Sequence, residues 1–255
     1  MLALHKPETI FSLRHAPSWL LLAMSAGSVN ATAYLACQRF VTHVTGTATH
    51  VGLYRGSWLV ADYAAVLLAF VAGAMASVLA IDGRYHRGKR PLYDLPLFVV
   101  SFILVLVGLL GAAGVFGAFG GEAQPDFLFL SLLSFAMGLQ NAAVATSTGL
   151  VVRTTHLTGP ATDLGIHLAN AMYTGGETRR TALRGAMLRG GKIVSFVGGA
   201  AITVPIATYA GFLTFLIPAG LVLVASALSF GQLSTQAPGT RTVDPNPLSD
   251  QGSPR

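Results

Sequence analysis

Three long stretches of this sequence carry no charge. No Asp, Glu, Lys or Arg occurs from Leu95 to Gly121, from Phe127 to Val152, or from Ile193 to Gly239. Each stretch exceeds the ~20 residues that a helix needs to cross roughly 30 Å of hydrocarbon. Only 10% of the 255 residues are charged, against about 25% in soluble domains. The expected class is an all-α polytopic membrane protein.

Hydropathy and turn signals divide the chain into six spans: Ser18–Gln38, Ser57–Ile81, Leu95–Gly117, Phe127–Val151, Lys192–Thr208 and Gly211–Phe230. Pro205, Tyr209 and Gly211 mark the expected hairpin between the last two. Asp62, near the start of span two, is the sole acid inside an apolar run and reads as interfacial. Residues 1–17 are expected to form a short interfacial segment. Residues 231–255, rich in Pro, Ser, Thr, Gly and Asp without periodicity, read as a disordered tail.

The formal charge of +6 raises the question of nucleic acid. The basic residues lie between apolar runs rather than on one face, so they read as topology signals and no nucleic-acid partner is expected. Arg84, Arg87, Lys89 and Arg90 form one cluster. Arg153, Arg179, Arg180, Arg184, Arg189 and Lys192 form another. The segment between Arg90 and Arg153 holds no Lys or Arg. The positive-inside rule places both clusters in the cytoplasm and Ala118–Asp126 outside, with both termini inside. Arg39 and Arg55, in the first outer loop, run against this. Arg over Lys and abundant Ala and Gly fit a GC-rich bacterial genome, hence a bacterial inner membrane. The single cysteine, Cys37, excludes an intramolecular disulfide and a Cys-based zinc cluster.

The chain repeats itself. Thr42-His43-Val44-Thr45-Gly46-Thr47-Ala48-Thr49 recurs as Thr155-His156-Leu157-Thr158-Gly159-Pro160-Ala161-Thr162. Upstream, Gly27-Ser28-Val29-Asn30-Ala31 answers Gly138-Leu139-Gln140-Asn141-Ala142. Downstream, Phe70-Val71-Ala72-Gly73-Ala74 answers Phe196-Val197-Gly198-Gly199-Ala200. The three blocks keep their order, which also argues against Trp19–Ala36 being a cleaved signal peptide, since a discarded segment need not resemble later sequence. The expected repeats are 18–117 and 127–230. Three spans per repeat is an odd number, so the second copy must enter the bilayer from the opposite side. Such 3+3 inverted repeats are a common transporter architecture with a mid-bilayer substrate site.

At these blocks the chain resembles the YoaK-type family, bacterial multi-pass membrane proteins of unknown function. The residues that carry the resemblance are Ala26-Gly27 to Asn30, Val44-Thr45-Gly46, Met137 to Asn141, and Leu157-Thr158-Gly159, over most of 18–230. The resemblance implies a membrane location and no particular activity or substrate.

Several residues are candidates for a site. Asn30 and Asn141 fall well inside spans one and four, where an unpaired amide is expensive. They either bond another helix or line a central polar cavity. Gln140, a further candidate for that cavity, is turned about 100° from Asn141, so the two cannot face its centre equally well. The Thr-His-x-Thr-Gly elements read as a break followed by a helix start. Pro160 suits the first turn and Thr158 or Gly159 the cap, while Thr45, Gly46, Thr158 and Gly159 could present N–H groups to an anion or carboxylate. His43, His50, His156, Asp163 and His167 offer gating or proton relay, with interfacial hydrogen bonding as the plainer alternative. The ladders through Ala69, Gly73 and Ser77, and through Ser195, Gly199 and Thr203, read as close helix packing.

No P-loop, GxSxG, HExxH or paired carboxylate appears inside the spans, so no catalytic residue, metal or cofactor is expected. The expected role is movement of a small solute or ion. The alternatives are a non-transporting membrane scaffold, homo-oligomeric through its small-residue ladders, and a lipid-binding protein.

Overall fold

A computed structural model describes residues 16–89, 91–120, 126–148 and 152–230. The expected C-terminal tail and nearly all of the N-terminal segment lie outside these residues. Among those described, all regular structure is helical: α1 (Ala16–Cys37), α2 (Val44–Leu53), α3 (Leu59–His86), α4 (Leu95–Ala112), α5 (Phe127–Ser147), α6 (Thr158–Tyr173), α7 (Gly176–Ala210) and α8 (Leu216–Phe230). A 3₁₀ segment, Gly211–Phe215, joins the last two.

Among the described residues, five helical stretches are long and apolar enough to cross a membrane: α1, α3, α4, α5 and residues 176–228. The outer surface agrees with a lipid environment. Along α3, Leu68, Val71, Met75 and Leu79 are 65%, 46%, 60% and 67% exposed, one apolar face at helical spacing that a soluble fold would bury. The chain is an integral membrane protein.

The 176–228 stretch is a pair of oppositely directed helices rather than one rod. α7 runs alongside α1 in the same direction: Leu20 lies at Gly191 and Ser28 Oγ donates to the Gly199 carbonyl at 3.1 Å. α8 runs against α4, because Phe212 lies at Gly111 while Ser101 Oγ donates to the Ala219 carbonyl at 3.1 Å. The reversal occurs at Gly211, whose φ of 53° suits glycine. This places the turn at Gly211, one of the three residues expected to mark it. Pro205 sits inside α7, as helix-interior prolines do where neighbouring helices supply the packing. α7 also starts well before the expected Lys192. Its first turns bury Ala182, Gly185 and Ala186, and His167 of α6 lies over Gly185.

The helices interlock pairwise at glycines. A Cβ at Gly27 of α1 would overlap the carbonyl oxygen of Phe196 in α7, and one at Gly199 would overlap that of Met24. A Cβ at Gly138 of α5 would overlap the carbonyl oxygen of Phe70 in α3, and one at Gly73 that of Phe135. Both pairs of backbones touch, as small residues permit in lipid. The first helix of each sequence repeat is thus paired with the second long helix of the other repeat. Around these crossings a core of Trp19, Leu22, Val29, Leu97, Leu104, Leu133, Met137 and Phe215 is almost wholly buried.

α2 and α6 are short helices that begin inside the molecule. Asn30 lies about seven residues before the end of α1, roughly 10 Å along the axis, and it is bonded to Thr42. The chain therefore folds back into the body before α2 starts. α2 then leads outward, to where His50 and Tyr54 stack on Tyr63 of α3. α6 does the same towards the other end, against α7, with Asp163 at Arg189 and His167 at Gly185.

Candidate functional site

The starts of α2 and α6 meet at a cavity of about 560 Å³. Its lining takes the same positions from each sequence repeat: Asn30 with Asn141, Phe40 with Arg153, Thr42 with Thr155, His43 with His156, Val44 with Leu157, Thr45 with Thr158, and Phe70 with Phe196. Every lining residue has its aligned counterpart in the other half.

The two asparagines build the walls. Asn30 Oδ1 accepts from the Val41 and Thr42 amides at 3.1 and 3.0 Å, and its Nδ2 donates to Thr42 Oγ1 at 2.7 Å. Asn141 Oδ1 accepts from the Thr154 and Thr155 amides at 3.0 and 3.4 Å. Each clamps the strand of chain that re-enters the body and so satisfies backbone groups that lipid could not. Lys192 adds a second clamp on one side only. Its Nζ donates to the Arg153 carbonyl and, at 2.9 Å, to the His156 carbonyl.

Neither helix start carries a side-chain cap. His43 and Leu157 occupy the N-cap positions without a capping hydrogen bond. Thr158, expected as a cap, is the first residue of α6, and Pro160 falls in its first turn as the sequence suggested. Gly46 and Gly159 have ordinary helical backbones. Glycine is needed at position 46 for space, because the His43 ring lies over it, whereas a Cβ at Gly159 would meet only His156 Nε2 at 3.8 Å.

Two smaller cavities adjoin the central one, again at matched positions. One, of about 170 Å³, shares Phe40 and His43 with it and reaches Arg39, Thr47, His50, Tyr63, Val66 and Leu130. The other, of about 40 Å³, shares Arg153 and reaches Val152, Pro160, Asp163, Arg189, Lys192 and Trp19. Position for position these are Arg39 and Val152, Thr47 and Pro160, His50 and Asp163, Tyr63 and Arg189, Val66 and Lys192, Leu130 and Trp19.

The remaining candidates divide cleanly. Gln140 is wholly buried away from the cavity, where its Nε2 donates to the Leu22 carbonyl at 3.0 Å and to Thr154 Oγ1 at 3.2 Å. His50 packs with Tyr54 and Tyr63 in a triangle of near-parallel rings, at centroid distances of 5.6 and 4.8 Å from them. Asp163 pairs with Arg189 at 3.4 Å. Ser77 and Thr203 are fully buried, with Thr203 Oγ1 donating to the Gly199 carbonyl at 2.6 Å; Ala69 and Ser195 are half-buried. Among the described residues no group of three or more His, Cys, Asp or Glu could hold a metal ion. Sequence reasoning passed over Phe40, Arg153 and Lys192. In the sequence Arg153 reads as a topology charge, although its alignment with Phe40, two residues before the repeated Thr-His, is a usable signal.

One family of proteins of unknown function, DUF1275, matches residues 18–228. No curated protein and no solved structure matches the sequence.

Proposed function

We propose that this chain, which belongs to the DUF1275 family of proteins of unknown function, moves a small solute across the membrane through the cavity between two inverted repeats. The observation that carries the reading is the matched lining: seven positions from each half face one space. Two flanking cavities at matched positions lead away from it. A site built twice from one repeat at the meeting point of two broken segments is the arrangement by which many secondary transporters expose a single site to either face. In this reading the six long helices α1, α3, α4, α5, α7 and α8 are six crossings of a bacterial inner membrane. The basic ends of α3 and α7 face the cytoplasm, and the YoaK-type resemblance of the repeated blocks fits the same location.

The scaffold alternative drew on the small-residue ladders as an oligomer surface. Gly73 and Gly199 are spent on crossings within the chain, so the ladders offer that alternative less free surface than their spacing suggests. The transport reading is checked by thermal unfolding of the purified protein against a broad library of small solutes. At least one solute should raise the midpoint for the native chain and lose that effect in Thr45→Trp and Thr158→Trp, which plug the cavity from either side. Absence of any such solute, or one indifferent to both plugs, would contradict it.

A further inference from the structure

The cavity and its two extensions are lined by cations with one acid among them. Arg39 lies on one side, Arg153 in the centre, and Arg189 and Lys192 on the other side. The single lining carboxylate, Asp163, is held by Arg189. Among the described residues the central cavity holds Arg153 and two histidines and no carboxylate, while Phe40, Phe70 and Phe196 supply a broad apolar wall.

From this we infer that the solute is a small organic anion, its carboxylate or equivalent group held near Arg153, Thr45 and Thr158 and its apolar body against the phenylalanines. The inference rests on the transport reading and specifies its substrate class. Charge decides it. A cation entering this path would meet like charge at every stage, and the lining carboxylate, Asp163, is already held by Arg189. A neutral solute would leave the Arg153 guanidinium unanswered. An anion gains a charge-assisted bond from the guanidinium, which matches carboxylate geometry, and hydroxyl donors from Thr45 and Thr158. The starts of α2 and α6, uncapped by side chains, reinforce the same sign. The volume, about 560 Å³, is larger than a bare halide needs, and three aromatic rings would be idle around an inorganic ion.

The experiment measures saturable binding to purified protein in nanodiscs with three monophenyl probes of similar size but different charge: benzoate, benzamide and benzylamine. Sodium sulfate at matched ionic strength serves as the inorganic comparison. Benzoate should bind native protein. Arg153→Gln should weaken it by about tenfold or more, while Arg153→Lys, which keeps the charge, retains more of it. Benzamide, benzylamine and sulfate should bind much more weakly than benzoate. The inference is overturned if benzoate fails to bind, if any of the other probes binds as well as benzoate, or if Arg153→Gln binds benzoate as tightly as the native chain. A neutral or cationic solute emerging from the library screen would sink the anion assignment and leave transport standing. Benzoate bound saturably but indifferent to the Thr45→Trp and Thr158→Trp plugs would point away from the cavity altogether.

Discussion

At the scale of single residues, the clearest lesson concerns Asn30 and Asn141. Depth in an apolar run shows that an amide must be paired, and the sequence left open whether the partner was a helix or a solute. The pairing is local: each amide oxygen takes two backbone N–H groups of the segment that follows its own helix. Only a fold in which the chain turns back alongside that helix makes this bond, and turn-back is invisible to hydropathy. The predicted consequence is structural before it is functional. Asn30→Ala and Asn141→Ala each strand two amides and should cost about 1–3 kcal/mol, read as a lowered unfolding midpoint. Asn30→Ala should cost more, because Asn30 also donates to Thr42 Oγ1. Equal, negligible losses in both would mean that the re-entrant segments are held by something else.

At the scale of helices, hydropathy and turn signals located the long elements, and the repeat located the glycines where they touch. What escaped was which helix each glycine touches. A ladder at four-residue spacing specifies a close approach without naming the partner, and here the partner lies in the other half: Gly27 and Gly199 join α1 to α7, Gly73 and Gly138 join α3 to α5. The boundaries of α7 escaped for a different reason. The charges between 176 and 192 read as the end of an apolar span, yet Ala182, Leu183, Ala186, Met187 and Leu188 are good helix formers between the arginines. Replacing Gly27, Gly73, Gly138 or Gly199 by Ala should each destabilise by about 1–3 kcal/mol or more, since a backbone carbonyl stands where the methyl must go. Gly165→Ala, with open space around it, should shift stability by no more than about 0.5 kcal/mol. Thermal unfolding in detergent, followed by size-exclusion recovery, compares the five. Tolerance of all four crossings would refute the backbone contacts.

At the scale of the whole molecule, the ends of the helices sort the charges. α3 ends where α7 begins, so Arg84, Arg87 and Lys89 share one end with Arg179, Arg180 and Arg184, as the positive-inside reading requires. The opposite end gathers the close of α1, α4 and α7. There the Gly120 amide donates to the Ala36 carbonyl at 3.3 Å and Phe119 meets Phe212 at 5.1 Å. Between the ends lies the central cavity, lined equally by both halves, and transport requires that each face of the membrane can reach it. Side-specific labelling in a Cys37→Ala background measures this, with an impermeant thiol reagent applied to intact cells and to inverted vesicles. Val115→Cys should react only from outside and Arg184→Cys only from inside, which fixes the orientation. Thr45→Cys and Thr158→Cys should react from both faces. Protection of both cavity positions from both faces, with Val115→Cys and Arg184→Cys labelled as expected, would show a sealed polar core and contradict the transport pathway.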